Sequence, residues 1–438
     1  MSVPSTSDDG RSVHVAALSI AGAFITYFSM YAFRKPFSAA EYGDLTLWGL
    51  DYKIVLVIAQ VAGYTMSKFI GIKVVSELDP AARIRSILGL IGVAWLALLL
   101  FGLIPHPYNW WCLILNGLPL GMIWGMVFAF LEGRRQTELL AAGLASSFIV
   151  ASGFVKSVGA GFVLNGFFGL TGPVSDFWMP FLTGLVFIPS LLLGVWLLSM
   201  VPPPSPDDEA HRTRRVPMTR RERAAFVASF APGIILTTII YMALNAYRDF
   251  RDNFAVELWN ALGYAEAPQI MTISEIPIAV AVLVIAAAMI LIRRNRLAFQ
   301  LNLWGIVLGG VIVLVTTALF RADGMSAAAW MVAVGFGMYL PYMLYNTVLF
   351  ERWIAAFRST ANVGFLIYVC DSFGYLASVA VMLTKEFAAP NLSWLDFFVQ
   401  ISLGMGGLTI ALGLLTIAYF ARRRRRAGDG PHRAESVS

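Results

Sequence analysis

Twelve long apolar segments follow one another along this chain, and nothing else in it constrains the fold as strongly. They fall near residues 15–38, 53–74, 86–104, 109–131, 142–165 and 179–201, then near 224–247, 268–292, 298–320, 327–350, 361–384 and 396–421. A helix needs about 20 mostly apolar residues to cross a bilayer, and tilt absorbs the differences in length. Numbered in chain order, these are twelve predicted spans. Of the 438 residues, 58% are hydrophobic and 13% charged, against roughly 45–50% and about 25% in soluble domains. A water-soluble enzyme does not fit these proportions. No alternating ten-residue pattern suggests a barrel. The expected class is an all-α polytopic membrane protein.

The stretch 202–223, PPPSPDDEAHRTRRVPMTRRER, is the one clear linker: its prolines cannot continue a helix, and it carries a dense basic run. It divides the chain into a six-span half at 1–201 and another at 224–421, leaving a basic tail at 422–438. Short cytoplasmic loops carry excess Lys and Arg. With the N-terminus inside, 23 of the 32 basic residues fall on the cytoplasmic side, 5 fall outside and 4 lie within spans. Both termini and the linker are therefore expected in the cytoplasm, with the protein in the plasma (inner) membrane. The net charge of +6 mostly reflects this bias and the Arg422–Arg426 run, so nucleic acid is not an expected partner. The start, MSVPSTSDDGR, has no basic n-region and does not read as a signal peptide. Cys112 and Cys370 sit in apolar runs, which gives no disulfide framework. The four histidines lie near span ends or in loops, so neither a metal site nor a cofactor is expected.

A weak repeat relates the halves. Span four runs from Gly117 through Gly121 and Gly125 to Phe130-Leu131-Glu132, and span ten from Gly335 and Gly337 to Leu349-Phe350-Glu351-Arg352. The spacing is about half the chain. Two parallel six-helix repeats around a midplane cavity is a transporter plan.

Four cations lie where apolar residues are expected: Arg34 and Lys35 in span one, Lys68 in span two and Lys156 in span five. An ionisable side chain at the bilayer centre costs on the order of 2.5–3.5 kcal/mol on insertion scales. Lys156 lies about 14 residues into its span, roughly 21 Å along the helix, and Lys68 is similarly deep. Either a ligand anion or a structural ion pair would satisfy these two lysines. Arg34 and Lys35 lie nearer the span end, where snorkelling to the interface is the alternative. Glu275 in span eight and Asp371 in span eleven are the acids available for charge pairing or coupling.

Helical spacing groups polar residues into stripes. Tyr27, Tyr31 and Arg34 share a face of span one, and Gln60, Tyr64 and Lys68 one of span two. Tyr241, Asn245, Arg248 and Asp252 do so in span seven, Tyr339, Tyr342 and Asn346 in span ten, and Tyr368, Asp371 and Tyr375 in span eleven. Tyrosine stripes often serve packing or interface belts, but beside a buried cation they read as a ligand surface. For Arg248–Asp252 a solvated helix end is an open alternative.

At these residues the sequence resembles the organophosphate:phosphate antiporter branch of the major facilitator superfamily. Tyr31-Ala-Phe-Arg34-Lys35-Pro-Phe37 stands where that branch has Tyr-x-x-Arg-Lys-x-Phe. Tyr64 and Ser67-Lys68-Phe69-Ile70 match its span two, and Phe373-Gly374-Tyr375-Leu376 its span eleven. Lys156-Ser-Val-Gly159-Ala-Gly161 replaces a binding-site histidine followed by Asn-Val-Gly-Gly-Gly. The superfamily's Gly-x-x-x-Asp-Arg loop gives way to Gly71-IKVVSELD-Pro80, without the paired Asp-Arg. The resemblance implies twelve helices in two parallel repeats, the major facilitator fold. It also implies that Arg34 is the first-half anion-binding arginine and Arg248 the second-half one, with Arg251 a rival.

The expected substrate-binding set is Tyr31, Arg34, Lys35, Tyr64, Lys68, Lys156, Arg248, Tyr342 and Asn346. The expected function is secondary transport of a small organic or phosphate-type anion by alternating access, as anion exchange. Proton-coupled symport through Asp371 or Glu275 is one alternative, and a non-transporting sensor with this fold is another. The expected assembly is a monomer whose partners are a small anionic substrate and membrane lipids. No catalytic triad, phosphate loop or metal motif suggests an enzyme.

Overall fold

The computed structural model describes residues 6–131, 137–203, 220–357 and 363–428. Most of the predicted linker (204–219), Arg134 and Arg135, and the tail beyond 428 lie outside the described residues. Ten described helices are long and apolar enough to cross a membrane, and eleven if the bent pair Met179–Val186 and Ile188–Ser199 counts as one span. A further helix, Val363–Ala388, occupies the place of span eleven. The chain is a multi-pass membrane protein with two parallel six-helix repeats.

Prolines shape the spans at identifiable places, because each removes one backbone donor and crowds the preceding turn. Pro189 follows the 45° bend of span six. Pro119 lies inside Trp111–Leu120, which breaks before resuming at Ile123–Phe128. Pro341 precedes a π-helical turn, Tyr345–Leu349, that divides span ten into Ala327–Leu344 and Phe350–Ala356. Both repeats therefore interrupt their fourth span. Glycines then bring helices close, as small residues do within membranes. A Cβ at Gly117 would lie 2.3 Å from the Gln60 carbonyl, and one at Gly309 would lie 2.4 Å from that of Gly337.

Span one departs most from the expectation of one continuous helix. Regular helix stops at Met30, and two 3₁₀ turns, Tyr31–Phe33 and Pro36–Ala39, carry the chain past Arg34 and Lys35. Pro36 has no N–H to donate and its ring crowds the turn before it, so regular helix cannot run on through it. Broken helix leaves carbonyls that must find donors in an apolar medium. Asn116 supplies one of them, its Nδ2 donating to the Phe33 carbonyl at 2.8 Å and also to that of Ala94, in the helix Arg83–Leu103, at 2.9 Å. Gln60 Nε2 donates to the Arg34 carbonyl at 2.6 Å and to Asn116 Oδ1 at 2.7 Å.

The chain divides into two compact units. The first comprises Met1–Arg214, Asp249–Ala287 and Val379–Phe398, and the second Arg215–Arg248, Ala288–Ser378 and Val399–Ser438. Span seven, a 34-residue helix from Arg220 to Asn253, thus begins in the second unit and ends in the first. The first repeat packs within its unit against the end of span seven, the short helix Ala255–Ala261 and most of span eight.

Candidate functional site

Three side-chain clusters account for the predicted site residues. The first lies where span one is broken. The Arg34 guanidinium sits 3.9 Å from the centre of the Tyr64 ring and 5.8 Å from that of Tyr31, and Lys68 Nζ lies 5.4 Å from the Tyr64 ring. The negative face of an aromatic ring attracts a cation, more strongly once water is removed. Tyr27 meets Tyr31 edge to face, with ring centres 5.7 Å apart. Tyr31, Arg34, Tyr64 and Lys68 are brought together as the stripes of spans one and two suggested.

A second cluster forms around Asp252, in the last turn of span seven and within the same compact unit. Lys35 Nζ reaches Asp252 Oδ2 at 2.5 Å and donates to Asn253 Oδ1 at 2.9 Å. Lys156 Nζ reaches Asp252 Oδ1 at 2.6 Å and donates to the Asp252 carbonyl at 2.5 Å. Ser152 donates a hydrogen bond to the same carboxylate oxygen as Lys156. The last carbonyls of a helix have no intrahelical donor and carry its partial negative charge. Lys156 therefore satisfies both the side chain and the terminus of span seven. Lys35 and Lys156 are 5% and 2% exposed, a degree of burial lysine sustains only when paired.

The solvated-helix-end reading of 248–252 is corrected here: Asp249 and Arg251 are only 7% and 4% exposed. Arg251 Nη1 pairs with Glu275 Oε1 at 2.6 Å. The close approach depends on Gly153, where a Cβ would lie 2.3 Å from the Met271 carbonyl and 2.8 Å from Glu275 Cγ. Thr272 adds hydrogen bonds to Ser157 from its amide at 3.2 Å and its hydroxyl at 2.7 Å. Further along the same end of the unit, Lys53 pairs with Glu257, and Asn260 donates to Glu41 at 2.5 Å. Burial pushes the Glu257 carboxyl up, with Lys53 opposing the shift.

The third cluster belongs to the second compact unit. The Arg248 guanidinium lies 4.3 Å from the centre of the Tyr342 ring, which stacks on Tyr241 at 5.6 Å. Tyr241 donates to Asp371 Oδ1 at 2.5 Å. Asn346 directs its amide at the Tyr342 carbonyl, 2.8 Å away in its own helix, beside the π-helical turn. Such turns recur at functional sites. Arg248 and Arg251, rivals for one role, thus occupy different surroundings: the first lies against tyrosines and the second pairs with an acid.

Sequence reading singled out both lysines around Asp252 but missed the acid as their partner, together with Ser152, Asn253 and Asn116. Asp252 stood in a recognised stripe. Its partners lie 96 and 217 positions away, and no helical spacing connects them.

The DUF5690 family, described as a family of unknown function, matches residues 36–423. This chain belongs to that family. No curated protein matches it at a significant level. Among solved structures it is similar to a bacterial homologue of the human drug peptide transporters PepT1 and PepT2. That match has a TM-score of 0.63 at 12% identity and covers 94% of this chain and 99% of the other. A variant of the nucleoside transporter NupG gives 0.61 at 15% identity, covering 93% and 100%. A D-xylose–proton symporter gives 0.57 at 14% identity, covering 92% and 96%. At such identities the likeness establishes the fold, that of the major facilitator superfamily.

Proposed function

We propose that this protein is a secondary transporter that moves a small organic or phosphate-type anion by alternating access. The observation that supports this reading is an arginine lying against a tyrosine ring in each repeat. Arg34 lies on Tyr64 in the first repeat and Arg248 on Tyr342 in the second, and spans one and seven hold equivalent positions in the repeats. A guanidinium keeps its charge and presents a planar fork suited to two oxygens of a carboxylate or phosphate. A tyrosine ring lies against each fork. Lys68 adds charge beside Arg34. The similar structures are named as transporters of nucleosides, xylose and peptides, which supports transport and leaves the anion preference to rest on the arginines. The proposed setting is the inner membrane, with a monomer whose termini and linker are cytoplasmic.

A panel of labelled small anions, inorganic phosphate, a phosphate monoester and a dicarboxylate among them, tested for uptake into proteoliposomes decides the matter. Saturable uptake of at least one, lost in Arg34→Lys and Arg248→Lys, is the expected result. Uptake of none, or undiminished uptake in both variants, would remove the anion-carrier reading. The Tyr241–Asp371 hydrogen bond favours one second reading, proton coupling through Asp371. An imposed pH gradient should then drive uptake in the parent protein and fail to drive it in Asp371→Asn.

A further inference from the structure

We infer that the groove between spans nine and twelve, at the end where span twelve turns basic, binds the headgroup of an anionic phospholipid, held by Arg296 and Arg424 and flanked by Arg422 and Arg425. The site lies within the second compact unit and is independent of the anion-carrier reading.

Span nine is the helix Asn295–Arg321 and span twelve the helix Trp394–Gly428. They run close together at mid-length, where a Cβ at Gly310 would lie 3.0 Å from the Gly406 carbonyl and one at Gly413 would lie 2.8 Å from Val307 Cγ2. Towards the basic end they meet again through Phe299 and Phe420, edge to face with ring centres 5.0 Å apart. Residues three or four apart share a helix face. Arg296 precedes Phe299 by three residues and Arg424 follows Phe420 by four, so each extends about one turn beyond that contact, on the same side of its helix. Both are exposed. Arg423 points elsewhere: its guanidinium lies 4.0 Å from the centre of the Phe230 ring and donates to the Ser229 carbonyl of span seven.

The faces beside these arginines identify the occupant. Leu297, Leu301, Trp304, Leu308 and Val315 form an exposed stripe along span nine, and Leu408, Ala411, Leu415 and Ala418 form one along span twelve. Both stripes keep the three-four spacing of a single helix face, which a bilayer covers with acyl chains. The second stripe continues at the same spacing into Arg422 and Arg425, also exposed. Apolar face and cations are therefore one continuous surface, complementary to a molecule with acyl chains at one end and a phosphate at the other. The 27 residues of span nine extend about 40 Å at the helical rise, and a bilayer with its headgroups is about 40–45 Å thick. Arg296, one residue from the helix start, thus lies at headgroup depth. Guanidinium takes phosphate oxygens in pairs, and clustered arginines at this depth attract anionic headgroups.

The test is native mass spectrometry of the full chain in mild detergent, titrated with phosphatidylglycerol or with phosphatidylcholine of the same acyl chains, with melting followed in parallel. Phosphatidylglycerol should bind and raise the melting temperature, and phosphatidylcholine should need roughly tenfold more. Arg296→Gln combined with Arg424→Gln should weaken phosphatidylglycerol binding roughly tenfold or more, while Arg321→Gln, at the other end of span nine, should bind as the parent does. Equal binding of the two lipids, or parent-like binding by the double variant, would overturn the inference. Inorganic phosphate as effective as phosphatidylglycerol would assign the arginines to a soluble anion, and stabilisation by polyglutamate but not by the lipid would assign them to an acidic protein segment; either result overturns the lipid site. A phosphatidylglycerol with a photoreactive group on its acyl chain gives a reading that needs no variant. It should label the parent within 297–308 or 408–418, and absence of label from both stretches would also overturn the inference.

Discussion

At the scale of the residue, the proposed chemistry turns on what lies against each cation. Arg34 lies against the Tyr64 ring, so Arg34→Lys should lose the two-oxygen fork while keeping the charge. The expected consequence is a 10- to 150-fold fall in apparent anion affinity, the equivalent of about 1.5–3 kcal/mol for one charge-assisted hydrogen bond. Uptake kinetics in vesicles check it, with melting in detergent as a control for folding. Lys156 behaves differently because two of its contacts are to Asp252. Lys156→Met should cost about 1.5–3 kcal/mol of stability, visible as a lower melting temperature without any anion added. Lys156→His, which restores the residue of the resembled branch, should be milder in both respects because a donor remains. The sequence made the cations legible, since a lysine deep in an apolar run is costly wherever it occurs. It did not make their partner legible. Asp252 sits next to Arg251 at the end of a span, where a charged pair suits water as well as a buried site, and only the fold brings Lys35 and Lys156 to it.

At the scale of the element, proline and buried amides together determine where Arg34 points. Pro36 ends regular helix in span one, and Gln60 and Asn116 satisfy the carbonyls thereby freed. Asn116→Ala should leave the Phe33 carbonyl without its amide donor at a cost of about 1–3 kcal/mol. It should also raise the apparent KM by letting the Arg34 turn move. Melting and uptake measured on the same preparation test both effects; loss of stability with KM unchanged would show that the turn holds without this amide. Gly153→Ala is the matching test for the packing of spans five and eight. Its methyl carbon would fall 2.3 Å from the Met271 carbonyl, so the helices must separate, and overpacking of this kind typically costs about 1–3 kcal/mol. The existence and order of the spans were plain in the sequence because apolar length alone specifies them. The 3₁₀ turns of span one and the π turn of span ten were not, although Pro36 and Pro341 were visible, because where a broken helix re-forms depends on donors contributed by other elements.

At the scale of the whole molecule, the expected orientation and the proposed transport mode both rest on charge. Excess Lys and Arg on one set of loops predicts cytoplasmic termini. Cys112 and Cys370 are buried, so an added cysteine can be labelled over a low background. In intact cells, Asp323→Cys in the loop after span nine should react with an impermeant reagent, and Ser205→Cys in the linker should not; the reverse pattern would invert the topology. Transport mode is the finer question. In an anion exchanger an empty site would leave its cations facing one another, and their repulsion would prevent the unloaded protein from closing. Asp252 bears on that premise, because it supplies a carboxylate to Lys35 and Lys156. In the proposed transporter this carboxylate would offset that repulsion and permit net uptake. Removing that charge should restore the repulsion. Uptake into empty vesicles and into vesicles preloaded with the same anion can be compared for the parent and Asp252→Asn, and the ratio of exchange to net uptake should rise in the variant. A ratio unchanged by the substitution would mean that closure of the empty carrier does not depend on this carboxylate.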